Sequence, residues 1–309
     1  MDLASLDPAA IFAALLIAAV PLLFAAIGEL VVEKSGVLNL GVEGMMICGA
    51  LAGFAAMHET GSPLLGALGA MAAGAALAGL FAFMTQALLS NQVATGLALT
   101  LFGLGFAALA GQGYAGIKAP DFPKLDVPGL SDLPVLGPAL FSHDLLTYAA
   151  VALTVFVGWA LRRTRAGLIL RAVGENHDAA HAIGYKVTRI RTMAILFGGA
   201  CAGLGGGYLS LVSTPLWAEG MTAERGWIAL AIVVFAGWRP GRAALGAAIF
   251  GGATIAQLNL QALGVNIQSQ YLSMTPYVAT IIALTIISAG GGARLKAPAC
   301  LGKPFFASG

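Results

Sequence analysis

Apolar runs of about twenty residues recur along the whole of this 309-residue chain. Wound as helices, runs of that length match the hydrocarbon thickness of a bilayer. Only 10% of the residues are charged against 59% hydrophobic, whereas a water-facing surface usually carries about 25% charged residues. The chain therefore reads as all-α, a polytopic transmembrane helix bundle of about nine spans, within a range of about eight to ten. These spans are expected near 9–27, 37–57, 63–84, 93–114, 144–161, 192–212, 226–238, 243–263 and 276–289. One transmembrane domain, 1–309, leaves little room for a soluble catalytic unit. Met1 to Pro8 carry no Lys or Arg, unlike the basic start of a signal peptide, so the first span is expected to be retained.

The connections are of two kinds. The segment 115–143 is rich in Pro, Gly and Asp and reads as a surface loop. The segment 162–191 holds Arg162, Arg163, Arg165, Arg171, Lys186, Arg189 and Arg191, seven of the sixteen basic residues. By the positive-inside rule it is cytoplasmic. Alternating outward from it places thirteen of the sixteen inside, leaving Lys118, Lys124 and Arg225 outside. The N-terminus is then outside and the 115–143 loop extracytoplasmic. Cys48, Cys201 and Cys300 lie far apart with no CxxC, so neither a disulfide framework nor a metal site is expected. No basic, aromatic-interleaved patch suggests a nucleic-acid partner. Gly199, Gly203 and Gly207 recur every four residues, as do Gly66, Ala70, Gly74 and Ala78. Small residues at that spacing predict close helix packing in lipid.

Three constellations interrupt the apolar pattern. Gly28 to Met46 contains Glu29, Glu33, Lys34, Asn39 and Glu43 among several glycines, which predicts a broken helix near 36–46. Glu29, Glu33 and Lys34 read as a solvated cytoplasmic turn. Asn39 and Glu43 lie deeper, where a polar group serves a pathway or a helix–helix hydrogen bond. Asn91, Gln92 and Thr95, opening the next span but one, either bind a neutral polar solute or cap and tie the helix. Gln257, Asn259 and Gln261 invite the same two readings.

In the cytoplasmic segment, Asn176 is an N-cap candidate and Gly184 a stop, giving a helix of about two turns. It either docks in a partner's groove, through Ala179, Ala180 and Ile183, or is an ordinary surface helix. His177 and His181 lack the third ligand of a metal site and read as a solvated helix face. Trp159, Trp217, Trp227 and Trp238 read as interfacial belts.

The segments Ser35 to Ala50, Ser90 to Leu99, Arg171 to Gly184 and Ala218 to Pro240 resemble, in that order, the permease subunits of bacterial ABC importers. The group is the one serving branched-chain amino acids, monosaccharides and nucleosides, and the first segment looks most like its nucleoside-type members. Asp178-Ala179-Ala180 followed by Gly184 is similar to the EAA…G coupling signature, with Asp for Glu, and His177 stands where close relatives usually have Pro. The resemblance implies a transport subunit of the bacterial inner membrane with no ATPase site of its own. ATP and Mg belong to a separate cytoplasmic ATPase subunit, coupled through Glu175, Asp178, Ala179, Ala180 and Gly184. A second permease, expected to be a different chain, and an extracytoplasmic binding protein or lipoprotein complete the assembly within membrane lipid. Asn39, Glu43, Asn91, Gln92 and Thr95 are the expected pathway residues and purine nucleosides the expected cargo. A ribose- or galactose-type sugar is the alternative, and proton coupling through Glu43 the third reading.

Overall fold

The computed structural model describes residues 8–118, 120–126, 141–262 and 297–306, with isolated positions at 137 and between 271 and 286. The middle of the 115–143 loop and most of the expected span at 276–289 lie outside the described residues. The chain opens with α1 (Pro8–Lys34), α2 (Val42–Thr60), α3 (Pro63–Ala82) and α4 (Gln92–Ala110). A short ribbon of β1 (Lys124–Asp126) antiparallel to β2 (Ser142–Asp144) precedes α5 (Leu145–Arg163). The basic segment folds as α6 (Arg165–Glu175) and α7 (His177–Ala182). Then come α8 (Val187–Tyr208), α9 (Arg225–Phe235) and α10 (Pro240–Ala262). Short polar side chains start many of these helices: Ser62, Asn91, Asp144, Thr164 and Asn176 each accept a backbone N–H from the first turn that follows.

Among the described residues, six helices are long and apolar enough to cross a membrane: α1, α3 with the wider turn Phe83–Ala87 that extends it, α4, α5, α8 and α10. The helices alternate in direction. Trp238, just past the end of α9, meets Glu33 and Lys34 at the end of α1. The ends of α1 and α5, the start of α10 and α6 surround one basic cavity. At the opposite end Tyr114 hydroxyl donates to Glu59 Oε1, and Ala115 pairs with Trp217. Four of the basic residues expected on one side, Lys34, Arg162, Arg171 and Arg239, meet at the basic cavity.

The centre of the bundle is α8. A Cβ on Gly206 would land on the backbone carbonyl of Met46, and one on Gly74 on the carbonyl of Gly199. The predicted small-residue stripes of α3 and α8 are thus in direct backbone contact. α2 lies against the same axis, and its first half is almost wholly buried.

Two expected spans differ from simple helices. The run at 37–57 reaches α2 only after an unwound stretch, residues 35–41. The run at 226–238 yields α9, only 11 residues long. It begins at the height of Glu43 because 214–224 folds inward from the far end instead of staying outside: Trp217 is 2% exposed against Gly111, and Thr222 is fully buried. Non-helical backbone at membrane depth is tolerable where protein encloses it, as here. The interfacial-belt reading is corrected for Trp217 and Trp238, both buried, while Trp159 stays 55% exposed.

Candidate functional site

Around residues 35–41 the chain replaces lost helical hydrogen bonds one by one. Gly36, at φ +88°, turns the chain after α1, a conformation costly for a residue with a Cβ. Leu38 N–H then donates to Gln92 Oε1 at 2.8 Å, Thr100 Oγ1 to the Leu40 carbonyl at 2.9 Å, and Gly41 N–H to Asn39 Oδ1 at 2.9 Å. α4 serves as the splint for the break. It lies close enough that a Cβ on Gly96 would clash with Leu40 and Gly41 backbone.

Glu29 and Glu33 are each 1% exposed, which corrects the expected solvated turn. α1 stays helical through Lys34 and carries both carboxylates inside. Buried carboxylates are costly unless given donors. Asn39 supplies its N–H to Glu29 Oε1 at 3.3 Å and its Nδ2 to Oε2 at 3.5 Å, and the Trp238 indole N–H donates to Glu33.

Glu43 joins the two interrupted spans. It accepts from Thr222 Oγ1 at 2.5 Å, Glu224 N–H at 3.1 Å and Gly226 N–H at 2.6 Å. A carboxylate on the first amides of α9 meets the positive end of that helix's dipole. The backbone there is bent hard, with Ala223 at φ +46° and Glu224 at φ +63°, a strain that persists only where the surroundings over-determine it.

The five expected pathway residues separate into roles. Asn39 and Gln92 both serve the unwound stretch, and Glu43 serves α9. Thr95, buried, shares a 2.9 Å hydroxyl contact with Ser90. Asn91 is exposed and caps α4 through Ala94 N–H. Asn91 and Gln92 line a cavity of about 240 Å³ with Ser90, Gly302 and Pro304. Gln92 Nε2 is buried with no hydrogen-bond partner among the described residues.

The basic end carries the second site. Asn176 Oδ1 caps α7 through Ala179 N–H at 2.9 Å. Gly184, at φ +93°, ends it: its N–H reaches the His181 carbonyl and Tyr185 N–H the Ala180 carbonyl, the paired bonds of a Schellman stop. Glu175, Asp178, Ala179 and Gly184 face outward, with Ile183 at 72% exposure. Ala180 is turned inward onto Val173, Val187 and Phe305, so the outward face is narrower than expected.

His177 is also buried, at 8% exposure, rather than solvated. Its Nδ1 lies 2.9 Å from Arg191 Nη2, and both His177 and His181 rings meet Phe305 edge-on. Burial first and the Arg191 guanidinium second push the His177 pKa below the usual imidazole value, against a smaller opposing pull from Asp178.

Arg191 is the residue that sequence reasoning missed. Fully buried, it donates Nε to the Ser35 carbonyl at 3.2 Å and Nη1 to the Lys303 carbonyl at 3.0 Å, besides its contact with His177. The segment 297–306 is fastened alongside, with Cys300 N–H on the Gly174 carbonyl and Gly302 N–H on the Gly36 carbonyl. One side chain thus ties α7, the unwound stretch and the C-terminal segment together. No local signal set it apart from the other cations of the 162–191 segment, because basic residues are common at the cytoplasmic threshold of a span.

Comparison with known proteins places this arrangement among relatives. The chain is 39% identical over 307 residues, 92% of its length and 93% of the relative's, to a Haloferax volcanii protein named "Putative glucose ABC transporter permease protein". It is 36% identical to a guanosine ABC transporter permease protein of Bacillus subtilis, covering 94% of this chain and 95% of that one. A nucleoside ABC transporter permease protein of Lactococcus lactis subsp. cremoris is 33% identical, over 89% and 91% respectively. No solved structure matches the chain. The model of the branched-chain amino acid transport system / permease component family matches residues 11–289, and with such full-length relatives the chain belongs to that family of multi-pass ABC transporter permeases.

Proposed function

We propose that this chain is the membrane-spanning subunit of a nucleoside importer in the bacterial inner membrane, with purine nucleosides as its preferred cargo. The observation that carries the reading is the chemistry of the break between α1 and α2. The polar side chains in it and against it, Asn39, Gln92, Thr95 and Thr100, are all neutral, while the buried carboxylates Glu29, Glu33, Glu43 and Asp144 are already engaged by the chain itself. A neutral, polyhydroxylated solute needs such groups and no counter-charge. Gln92, one of the residues lining the cavity beside Asn91, keeps its buried Nε2 donor unpaired among the described residues. Two of the relatives carry guanosine or nucleoside in their names. A monosaccharide is the second reading, favoured by two relatives named for glucose.

In this reading ATP and Mg are bound by a separate cytoplasmic ATPase subunit that grips the outward face of α7. Its closure displaces α7, and Arg191 passes the displacement to Ser35, at the start of the unwound stretch. Two permease chains, expected to be unlike, enclose the pathway. An extracytoplasmic binding protein delivers solute at the end where the 115–143 loop and Trp217 lie.

Uptake of labelled guanosine, adenosine, ribose and glucose in cells with and without the chain tests this. Each is repeated with the proton gradient collapsed and ATP maintained. Nucleoside uptake alone should disappear with the chain and should survive the collapse. Loss confined to a sugar would transfer the assignment to the monosaccharide reading, and loss that follows the proton gradient would remove the ATP-driven one.

A further inference from the structure

At the basic end a cavity of about 360 Å³ opens between α1, α5, α6 and the turn from α9 to α10. Four cations converge on it from separate parts of the chain: Lys34, Arg162, Arg171 and Arg239, with Trp238 beside them. The ion pairs among the described residues, Lys118–Asp121 and His177–Asp178, include none of the four. The carboxylates facing Lys34 are Glu33, whose Oε2 accepts from the Trp238 indole, and Glu175, at the exposed end of α6. Four like charges around one concavity repel each other unless an anion joins them. Guanidinium forks with a compact ammonium form a donor set suited to phosphate oxygens. A scatter of solvated cations would satisfy the positive-inside rule equally well; convergence on one cavity is the additional fact.

We infer that this cavity binds a phosphate group, carried by an anionic phospholipid headgroup or by a soluble phosphate. The lipid source fits the position. α5 and α10 present exposed apolar side chains, Phe156 and Trp159 on one and Leu245 on the other, and exposed Trp is typical of the headgroup boundary. A phosphate there joins the ends of α1 and α5 to the start of α10. This inference does not depend on which solute is carried.

The test uses the full chain in detergent, with phosphatidylglycerol, phosphatidylcholine and inorganic phosphate as probes, and binding read by native mass spectrometry and thermal shift. Arg162 and Arg239 are exposed at the cavity mouth, so Arg162→Gln with Arg239→Gln should leave the fold intact. Each lost cation should weaken phosphatidylglycerol binding about fivefold, and the pair about thirtyfold. Arg163→Gln with Arg165→Gln removes equal charge beside the cavity and should change binding by less than about threefold. Inorganic phosphate that binds with the same variant dependence identifies a soluble source, and its failure to compete identifies the lipid. If the pair does not fold, the Arg162→Gln single variant carries the fivefold expectation. Equal losses in the cavity and control pairs, or no loss in either, overturn the proposal.

Discussion

At the scale of single residues, Glu43 and His177 each hold a junction that their neighbours in sequence do not explain. Glu43 offers the only side-chain carboxylate bonded to Thr222, Glu224 and Gly226 among the described residues. Glu43→Ala strands the buried Thr222 and Gly226 donors and removes the acceptor of the part-buried Glu224 N–H, at a cost of about 3 kcal/mol. Glu43→Gln keeps an acceptor oxygen and loses the charge opposite the helix dipole, about 1 kcal/mol. Melting in detergent should therefore rank wild type above Glu43→Gln and Glu43→Ala lowest. A wild-type melting temperature for Glu43→Gln combined with abolished uptake would instead mark Glu43 as a proton carrier. For His177 the sign follows from its lowered pKa. The folded chain binds fewer protons at this site than the unfolded one, so its contribution is complete above about pH 6.5 and is lost as pH falls through the lower folded value. Protection factors of amides in α7 and residues 297–306, taken relative to the intrinsic exchange rate at each pH, should fall as the medium is acidified through that window. In His177→Gln that pH dependence should disappear.

At the scale of elements, what was legible in the sequence was what is local. Asn176 and Gly184 bracket α7 as expected because a cap and a left-handed stop are set by residues within a turn of each other. The break after Lys34 was visible in its glycines and polar groups for the same reason. Its splint was not, since Gln92 lies 54 residues from Leu38 and Thr100 lies 60 from Leu40. Arg191 reaches 156 residues back to Ser35 and 112 forward to Lys303, distances over which no periodicity speaks. α9 gave a partial warning, an apolar run too short to cross a bilayer upright. The coupling role of α7 predicts a separation of stability from transport. Gly184 has open space where a Cβ would stand, so Gly184→Ala carries only the left-handed backbone cost, about 1 kcal/mol. Combined with Asp178→Arg on the outward face, it should leave the permease folded while uptake and solute-stimulated ATP hydrolysis fall together in the assembled complex. Retention of both activities would remove α7 from the coupling path.

For the whole molecule, the bundle is organised by how closely α8 lets other backbones approach, rather than by large side chains interlocking. In lipid there is no gain from burying apolar surface against more apolar surface, so association rests on contact distance and shape. The four-residue spacing of small residues on α3 and α8 was readable in the sequence. That α8 is approached from several sides at once was not, because each face matches a different partner: Gly198 meets α1, Gly206 meets α2, and Gly203 meets α3. A methyl group should therefore have opposite effects according to where it is placed. At Gly203 or Gly206 the added Cβ meets the backbone of Ala70 or Met46, which cannot swing aside as a side chain can. Gly203→Ala and Gly206→Ala should each force two helices apart, costing several kcal/mol and most of the monodisperse protein on size exclusion. Gly105 lies within α4 with nothing near its Cβ position. Gly105→Ala should raise the melting temperature, since alanine is favoured over glycine in a helix by about 1 kcal/mol. Equal behaviour of the three variants would mean that backbone contact with α8 does not hold the bundle together, and that the helices are retained by lipid or by a partner chain.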